Sequence, residues 1–311
     1  MESSTFTYKD QDGVEIFVYK WSPSGAPKAA VQISHGLAEH AGRYKDFAQF
    51  LTDTGCICYG DDHRGHGKTA GDQYKLGDLG PNGWDGAVNA LKVLTDIIKK
   101  ENPGIPVFFI GHSWGSYLGQ DYIEQWGGEL KGVILSGTTG GKAPYIERKL
   151  GPMIIKRELK KVGADAPSPT LYNQVFKGFN KPFEPAPTKF EWLSRDRAVV
   201  EKYVNDPLCG WMESATVPLY AMLGLGLRKI HEEWLQQKIP KDLPIYIMTG
   251  SEDSTNKKAK GPKILYEEYK NAGINDVTLK IYQGARHEIL NETNRDEVYK
   301  DMLDWLDAHL K

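Results

Sequence analysis

The chain has 311 residues, with 39 Lys and Arg against 41 Asp and Glu and a formal net charge of −2. That length suits one large domain, or one domain with a sizeable insertion. The balanced charge excludes an electrostatic nucleic-acid binder.

The first residues, MESSTFTYKD, lack both a charged start and an apolar core, so no secretory signal is expected. No run approaches the ~18 apolar residues of a membrane span. The three cysteines are Cys56, Cys58 and Cys209. Cys56 and Cys58 are too close along a strand to bridge, so reduced thiols and a cytoplasmic location are expected.

In chain order, Thr5 to Lys9 and Val14 to Trp21 read as strands joined at Asp12-Gly13, a hairpin signal. The next strand is Ala29 to Ser34, which runs into His35-Gly36-Leu37-Ala38-Glu39-His40. A helix is predicted from Tyr44 to Thr54, closed by Gly55. Cys56 to Tyr59 is a strand, leading into Asp61-Asp62-His63-Arg64-Gly65-His66-Gly67. A polar loop precedes a helix from about Gly83 to Lys100, which Asn102-Pro103-Gly104 stops.

Val107 to Ile110 is a short apolar strand, and a helix with Tyr117, Leu118, Tyr122 and Ile123 at helical spacing follows it. Between the two stands Gly111-His112-Ser113-Trp114-Gly115, a G-x-S-x-G. A serine there sits on a sharp turn that lifts its oxygen clear of the sheet and puts a helix N-terminus behind it. The competing reading of Ser113 is a helix N-cap.

Gly132 to Ser136 is the next strand. Strands alternating with helices imply a mostly parallel sheet covered on both faces. The pattern breaks over residues 140–239, where helical fragments are interrupted by prolines, among them Pro167, Pro169, Pro182, Pro185 and Pro187. This reads as an insertion folded over a core made of residues 1–139 and 240–311. Leu243 to Thr249 resumes the sheet and ends at Gly250-Ser251-Glu252-Asp253. Lys257 to Ala272 is a helix, and Val277 to Tyr282 is the last strand, ending at Gly284-Ala285-Arg286-His287. A closing amphipathic helix runs from Glu297 to Leu310, with Val298, Met302, Trp305 and Leu306 on one face.

Ser113, Asp253 and His287 each follow a predicted strand, at the end where open parallel sheets gather their functional groups. Their order, Ser then acid then His, is that of the α/β-hydrolases. A serine hydroxyl needs a base, usually a histidine oriented by a carboxylate. Glu252 competes with Asp253 for the carboxylate role, while His309 reads as a surface residue of the last helix. The oxyanion formed on attack needs fixed donors. The backbone N–H of Trp114 is one, and that of Leu37, in the loop after Ala29–Ser34, is the expected second.

HGLAEHAGRY (His35–Tyr44), DDHRGHGKT (Asp61–Thr69), GHSWGS (Gly111–Ser116), GSED (Gly250–Asp253) and GARHEILNE (Gly284–Glu292) together resemble the monoacylglycerol lipase and lysophospholipase group of α/β-hydrolases. LSRD (Leu193–Asp196) and NDPLCG (Asn205–Gly210) are similar to its bacterial members. The resemblance spans nearly the whole chain. It implies an α/β-hydrolase fold, Ser113 as nucleophile, Asp253 as acid, His287 as base, Leu37 and Trp114 as oxyanion donors, and a helical cap over an acyl pocket. Ala38 departs from it, since many members carry glycine there. The Asp61–His66 cluster could suggest a metal site, but in this group that loop is structural. No metal or cofactor is expected, because a serine mechanism calls for neither.

Within the insertion, seven basic residues (Lys142, Arg148, Lys149, Lys156, Arg157, Lys160, Lys161) stand against Glu147 and Glu158. Ile146, Leu150, Met153 and Ile154 share one face of the helix predicted there. The favoured reading is a lid helix whose apolar face covers the pocket; the alternative is transient contact with a membrane or micelle surface. Val217 to Leu227 is a second apolar stretch, expected to wall an acyl site through Leu223 and Leu225, with His35 and Gly36 shaping the substrate side of the oxyanion loop. The function expected is hydrolysis of a small, lipid-like carboxylic ester through an acyl-enzyme. The same scaffold also serves amidases, aminopeptidases, thioesterases, acyltransferases and perhydrolases. A non-catalytic binding module is disfavoured by the intact Ser, Asp and His.

Overall fold

A computed structural model describes residues 1–71 and 75–310; part of the polar loop expected before Gly83 lies outside them. Eight strands form one sheet in the order β1-β2-β4-β3-β5-β6-β7-β8. They are β1 (Glu2–Lys9), β2 (Glu15–Ser22), β3 (Ala29–Ser34), β4 (Cys56–Asp61), β5 (Val107–His112), β6 (Gly132–Ser136), β7 (Ile245–Gly250) and β8 (Val277–Tyr282). The first two pair antiparallel, β2 runs antiparallel to β4, and the strands from β4 to β8 are parallel. The hairpin at Asp12-Gly13 forms with a wider turn, since Lys9 pairs with Glu15.

The helices are α1 (Lys45–Asp53), α2 (Gly67–Ala70), α3 (Gly83–Glu101), α4 (Trp114–Trp126), α5 (Tyr145–Val162), α6 (Pro169–Val175), α7 (Arg197–Asn205), α8 (Val217–Lys229), α9 (Glu233–Gln236), α10 (Lys260–Asn271) and α11 (Arg295–His309). The central strands β3 to β7 are buried at every position, which is why they read as near-continuous apolar runs. One face packs Phe108 and Ile110 with Phe47 and Leu51 of α1 and Met302 and Trp305 of α11. The other packs Phe109 and Leu135 with residues of α3, α4 and α10. The strand order reverses between β4 and β5, on either side of β3, so the loops after β3 and β5 lie side by side at a topological switch point.

Between Ser136 and Ile245 the chain adds no strand to the sheet. Trp211, Met212, Val217, Leu219 and Tyr220 from this insertion nevertheless join the core on the α3/α4 face. The expected covered face of α5 is not covered. Ile146 and Met153 are about 58% and 63% exposed, and Leu150 is also exposed, while Ile154 packs on the core. Basic and apolar residues therefore share an outward surface. The three cysteines are free and buried.

The Asp61–His66 loop is a hydrogen-bonded hub. Asp62 accepts the N–H groups of Ala41 and Lys68. Buried Arg64 pairs with Asp10 and Asp12 and donates to the Pro81 carbonyl, tying the β1–β2 turn to the segment before α3.

Glu124 on α4 is buried with neither carboxylate oxygen hydrogen-bonded among the described residues. Burial, reinforced by neighbouring Asp121, pushes its pKa up to about 9. The folded state therefore holds a proton that an unfolded glutamate, with a pKa of about 4.3, gives up. Stability conferred by that proton is complete below about pH 4 and is lost as pH rises towards 9. Glu124→Gln, neutral and isosteric, is expected to melt at least about 2 °C above the parent at pH 8 and to converge with it near pH 4. Melting temperatures across this range check it; parallel profiles for the two proteins would refute it.

Candidate active site

Ser113 joins β5 to α4 with φ 50° and ψ −119°. This is a sparsely populated region for a residue with a side chain. It occupies the N-cap position, but its hydroxyl makes no capping hydrogen bond, so the N-cap reading fails. Instead its N–H donates to the Ser136 carbonyl at 2.9 Å. The flanking glycines are required by contact. A Cβ on Gly111 would lie 2.6 Å from the Gly115 carbonyl oxygen, and one on Gly115 would lie 2.2 Å from that of Ser34. Ser113 is half-buried among buried neighbours.

Asp253, after β7, is fully buried. Its Oδ1 accepts from the Thr255 N–H and hydroxyl, at 2.9 and 2.7 Å. Its Oδ2 accepts from Asn256 and from His287 Nδ1, both at 2.8 Å. With Nδ1–H donating to the carboxylate, His287 Nε2 is left as an acceptor. Burial lowers the His287 pKa, but Asp253, Glu288 and Glu39 together raise it, so the net shift is upward. The rival carboxylate, Glu252, reaches solvent and pairs with Lys258. His309, in the last helix, bonds to the Trp305 carbonyl and to Asp276 before β8, and does not line the cavity around Ser113.

Ser113 and His287 line one cavity together with Gly36, Leu37, Glu39, His112, Trp192, Leu193, Tyr203 and Glu288. Leu37 thus faces Ser113 from the loop after β3. Trp114 is the first helical residue of α4, so its N–H is among those a helix leaves without an intrahelical acceptor. Its indole is buried and stacks on His66. Ala38 is buried with φ 56°, a conformation that suits the glycine many members of the resembled group carry there. Burial and neighbouring His287 push His112 down to about 4, so it stays neutral.

Three expectations about the substrate side change. His35 turns inward: its Nδ1–H donates to the Gly36 carbonyl and its Nε2 accepts the His63 N–H. Burial holds its pKa well below the ordinary histidine value. It supports the loop and does not line the cavity. Leu225 is about 66% exposed on α8, and Leu223 packs half-buried against the core; neither lines the cavity around Ser113.

Sequence reasoning also missed a buried ionic clamp. Glu39 accepts the Gly36 N–H at 2.6 Å and the Tyr44 hydroxyl at 2.9 Å, and pairs with Arg43. Arg43 donates two hydrogen bonds, at 2.8 and 2.7 Å, to Glu288, the residue after His287. The i,i+4 spacing of Glu39 and Arg43 was visible; the pairing with Glu288, 245 positions away, was not. The insertion closes the same site. Trp192 and Leu193 carbonyls accept the N–H groups of His287 and Glu288.

The cavity holds about 20 Å³, room for a water molecule and not for an acyl chain. A larger groove of about 820 Å³, lined by Tyr172, Phe176, Lys177, Lys189 and Glu213 among others, lies within the insertion.

A family model described as "Serine aminopeptidase, S33" (Hydrolase_4) matches residues 25–294. The chain is 28% identical over 307 residues to the monoacylglycerol lipase of Mycolicibacterium smegmatis, covering 99% of this chain and 98% of that protein. It is 28% identical over 284 residues to the monoglyceride lipase of Homo sapiens, covering 90% and 82%. The crystal structure of a thermostable carboxyl esterase from Bacillus coagulans in complex with glycerol matches with a TM-score of 0.90 at 27% identity, each chain covered in full. The fold is therefore that of the α/β-hydrolases, as expected. Since the family match runs from before β3 to the start of α11, through both the sheet and the insertion, the chain belongs to the Hydrolase_4 family.

Proposed function

We propose that this protein hydrolyses lipid-like carboxylic esters of the monoacylglycerol or lysophospholipid type, through an acyl-enzyme on Ser113. The observation that carries the reading is the 2.8 Å His287–Asp253 hydrogen bond, with His287 and Ser113 lining one cavity. The relatives' activities favour an ester, and the glycerol bound to the related esterase favours a polyol leaving group.

In this mechanism His287 Nε2 takes the Ser113 proton as Oγ attacks the ester carbonyl. The backbone N–H groups of Leu37 and Trp114 receive the oxyanion, each such donor contributing about 100- to 1000-fold to turnover. His287 then protonates the leaving alcohol and afterwards activates water against the acyl-enzyme. Asp253 holds the imidazole in the required tautomer and stabilises its charged form. The insertion, residues 140–239, acts as a cap. Its Trp192–Leu193 segment withdraws for an acyl chain to enter, because the cavity beside Ser113 is too narrow for one. The exposed apolar and basic face of α5 suits an anionic lipid interface.

Ser113→Ala and His287→Ala are each expected to cut turnover by about a million-fold without unfolding the chain. Robust esterase activity in Ser113→Ala would end the proposal. Specificity constants over p-nitrophenyl esters of increasing chain length should peak at medium or long acyl chains. A steep fall beyond butyrate would remove the lipid substrate and leave the mechanism. Because the family's description names an aminopeptidase, amino-acid anilides belong in the same series; preference for them would make amides the substrate.

The pH profile follows from His287. Below its pKa the imidazole carries a proton and cannot accept that of Ser113. The acid limb of kcat/KM should therefore lie above the ordinary histidine value of about 6.5. Asp253→Asn should move the limb down and cost about 10,000-fold in kcat. A limb unmoved by this change would detach Asp253 from the base.

For the interface, Ile146→Asp combined with Met153→Asp should weaken binding to anionic vesicles and slow hydrolysis of vesicle-borne ester, leaving a soluble short-chain ester unaffected. Equal loss on both substrates would point to a folding defect.

A further inference from the structure

Two pieces of chain that the hydrolytic chemistry does not use meet beside the oxyanion loop. His40 ends the loop that starts at His35, and Asp206 and Cys209 lie in the turn after α7. An imidazole nitrogen, a carboxylate oxygen and a thiol sulfur, one from each, lie within 4.8 Å of one another. His40 Nε2 is 3.0 Å from Asp206 Oδ2. His40 Nδ1 is buried and has no hydrogen-bond partner among the described residues. The Cys209 side chain is buried, but those of His40 and Asp206 are 13% and 31% exposed, so an ion can reach the group from solvent.

The backbone that carries these side chains is already fixed. Asp206 Oδ1 accepts the Leu208 N–H, and the Cys209 N–H donates to the Asp206 carbonyl. The Gly210 N–H and the Tyr203 hydroxyl both donate to the Ala38 carbonyl, at 3.0 and 2.9 Å. The turn is thus held against the oxyanion loop before any ion arrives, and little ordering has to accompany binding.

We propose that His40, Asp206 and Cys209 form a binding site for one borderline-soft divalent cation of the zinc class, which staples the turn after α7 to the oxyanion loop. One nitrogen, one oxygen and one sulfur suit zinc, whereas calcium and magnesium take oxygen sets. Tetrahedral bonds of about 2.0–2.3 Å place ligand atoms about 3.3–3.8 Å apart, so the 3.0 Å His40–Asp206 pair opens slightly to admit the ion, and no separation has to close by more than about an ångström. Three protein ligands leave a fourth position for water. Binding replaces the thiol proton: Cys209 Sγ–H and the dication give the metal thiolate and a proton released to solvent. The carboxylate and thiolate then balance the dication. Arg43, which lies close to Cys209, keeps its own partners Glu39 and Glu288.

The test titrates the full chain with Co²⁺, followed by displacement with Zn²⁺. A near-ultraviolet thiolate-to-cobalt charge-transfer band should grow and saturate at one equivalent, and Zn²⁺ should abolish it. Cys209→Ser should lose the band, and Asp206→Asn should keep it while weakening Zn²⁺ binding at least about tenfold. Zn²⁺ should also raise the melting temperature of the parent more than that of either variant. No band in the parent, or an unchanged band in Cys209→Ser, overturns the proposal. Should Cys209→Ser fail to fold, Asp206→Asn decides, because the more exposed ligand can be changed with less risk to the fold. Zn²⁺ affinity equal to the parent's in that variant overturns the site. None of these readings depends on turnover, so they stand or fall apart from the hydrolase proposal.

Discussion

The turn at Ser113 is the constraint on which the rest of the site depends. A side chain held at φ 50° and ψ −119° costs on the order of 1–3 kcal/mol, and it persists only where its surroundings leave no alternative. Here the surroundings are specific. The Ser113 N–H is committed to Ser136 on the neighbouring strand, and the Ser113 carbonyl accepts from Ser116 and Tyr117 in the first turn of α4. Gly115 presses against the Ser34 and His35 carbonyls with no room for a Cβ. The turn at Ser113 and the loop after β3 are therefore set by the same contact. Moving one displaces the other.

A second layer of control is ionic. Glu39 holds the Gly36 N–H, and Glu288 follows His287; both carboxylates line the cavity, and Arg43 joins them. Burying this group costs desolvation, and losing one member would strand a charge in the interior. It fixes the spacing between the loop after β3 and the loop that carries His287. The two carboxylates also raise the His287 pKa, after the larger opposed effects of burial and Asp253. The insertion reaches this network through the Trp192 and Leu193 carbonyls, and Arg43 stacks on Tyr203. Access to Ser113 and the geometry around it are consequently coupled.

The residues legible in the sequence were those whose role is local. Gly111 to Gly115 declares a sharp strand-to-helix turn, and Asp253 and His287 each stand just past a strand. Val298, Met302, Trp305 and Leu306 kept their apolar face because the sheet lies opposite it. The misreadings share one cause. Helical periodicity says that Ile146, Leu150 and Met153 share a face, but not that anything covers it, and the structure leaves them exposed. Leu225 sits in an apolar stretch and still points outward. His35, expected to shape the substrate side of its loop, instead commits one ring nitrogen to Gly36 and the other to His63, which only the folded chain brings near.

By itself the sequence determined the alternation of strands and helices, the strained turn, and the places of Ser113, Asp253 and His287 just past three strands, since each rests on periodicity or on contacts within a few residues. The tertiary structure decided what depends on distant parts of the chain. It joined Arg43 to Glu288, laid the 192–193 segment over His287, brought His40 to Asp206 and Cys209, and shrank the cavity around Ser113 to the volume of a water molecule. Such contacts form only when the sheet brings its loops to one edge and the insertion folds back over them, and no local pattern of residues encodes that packing.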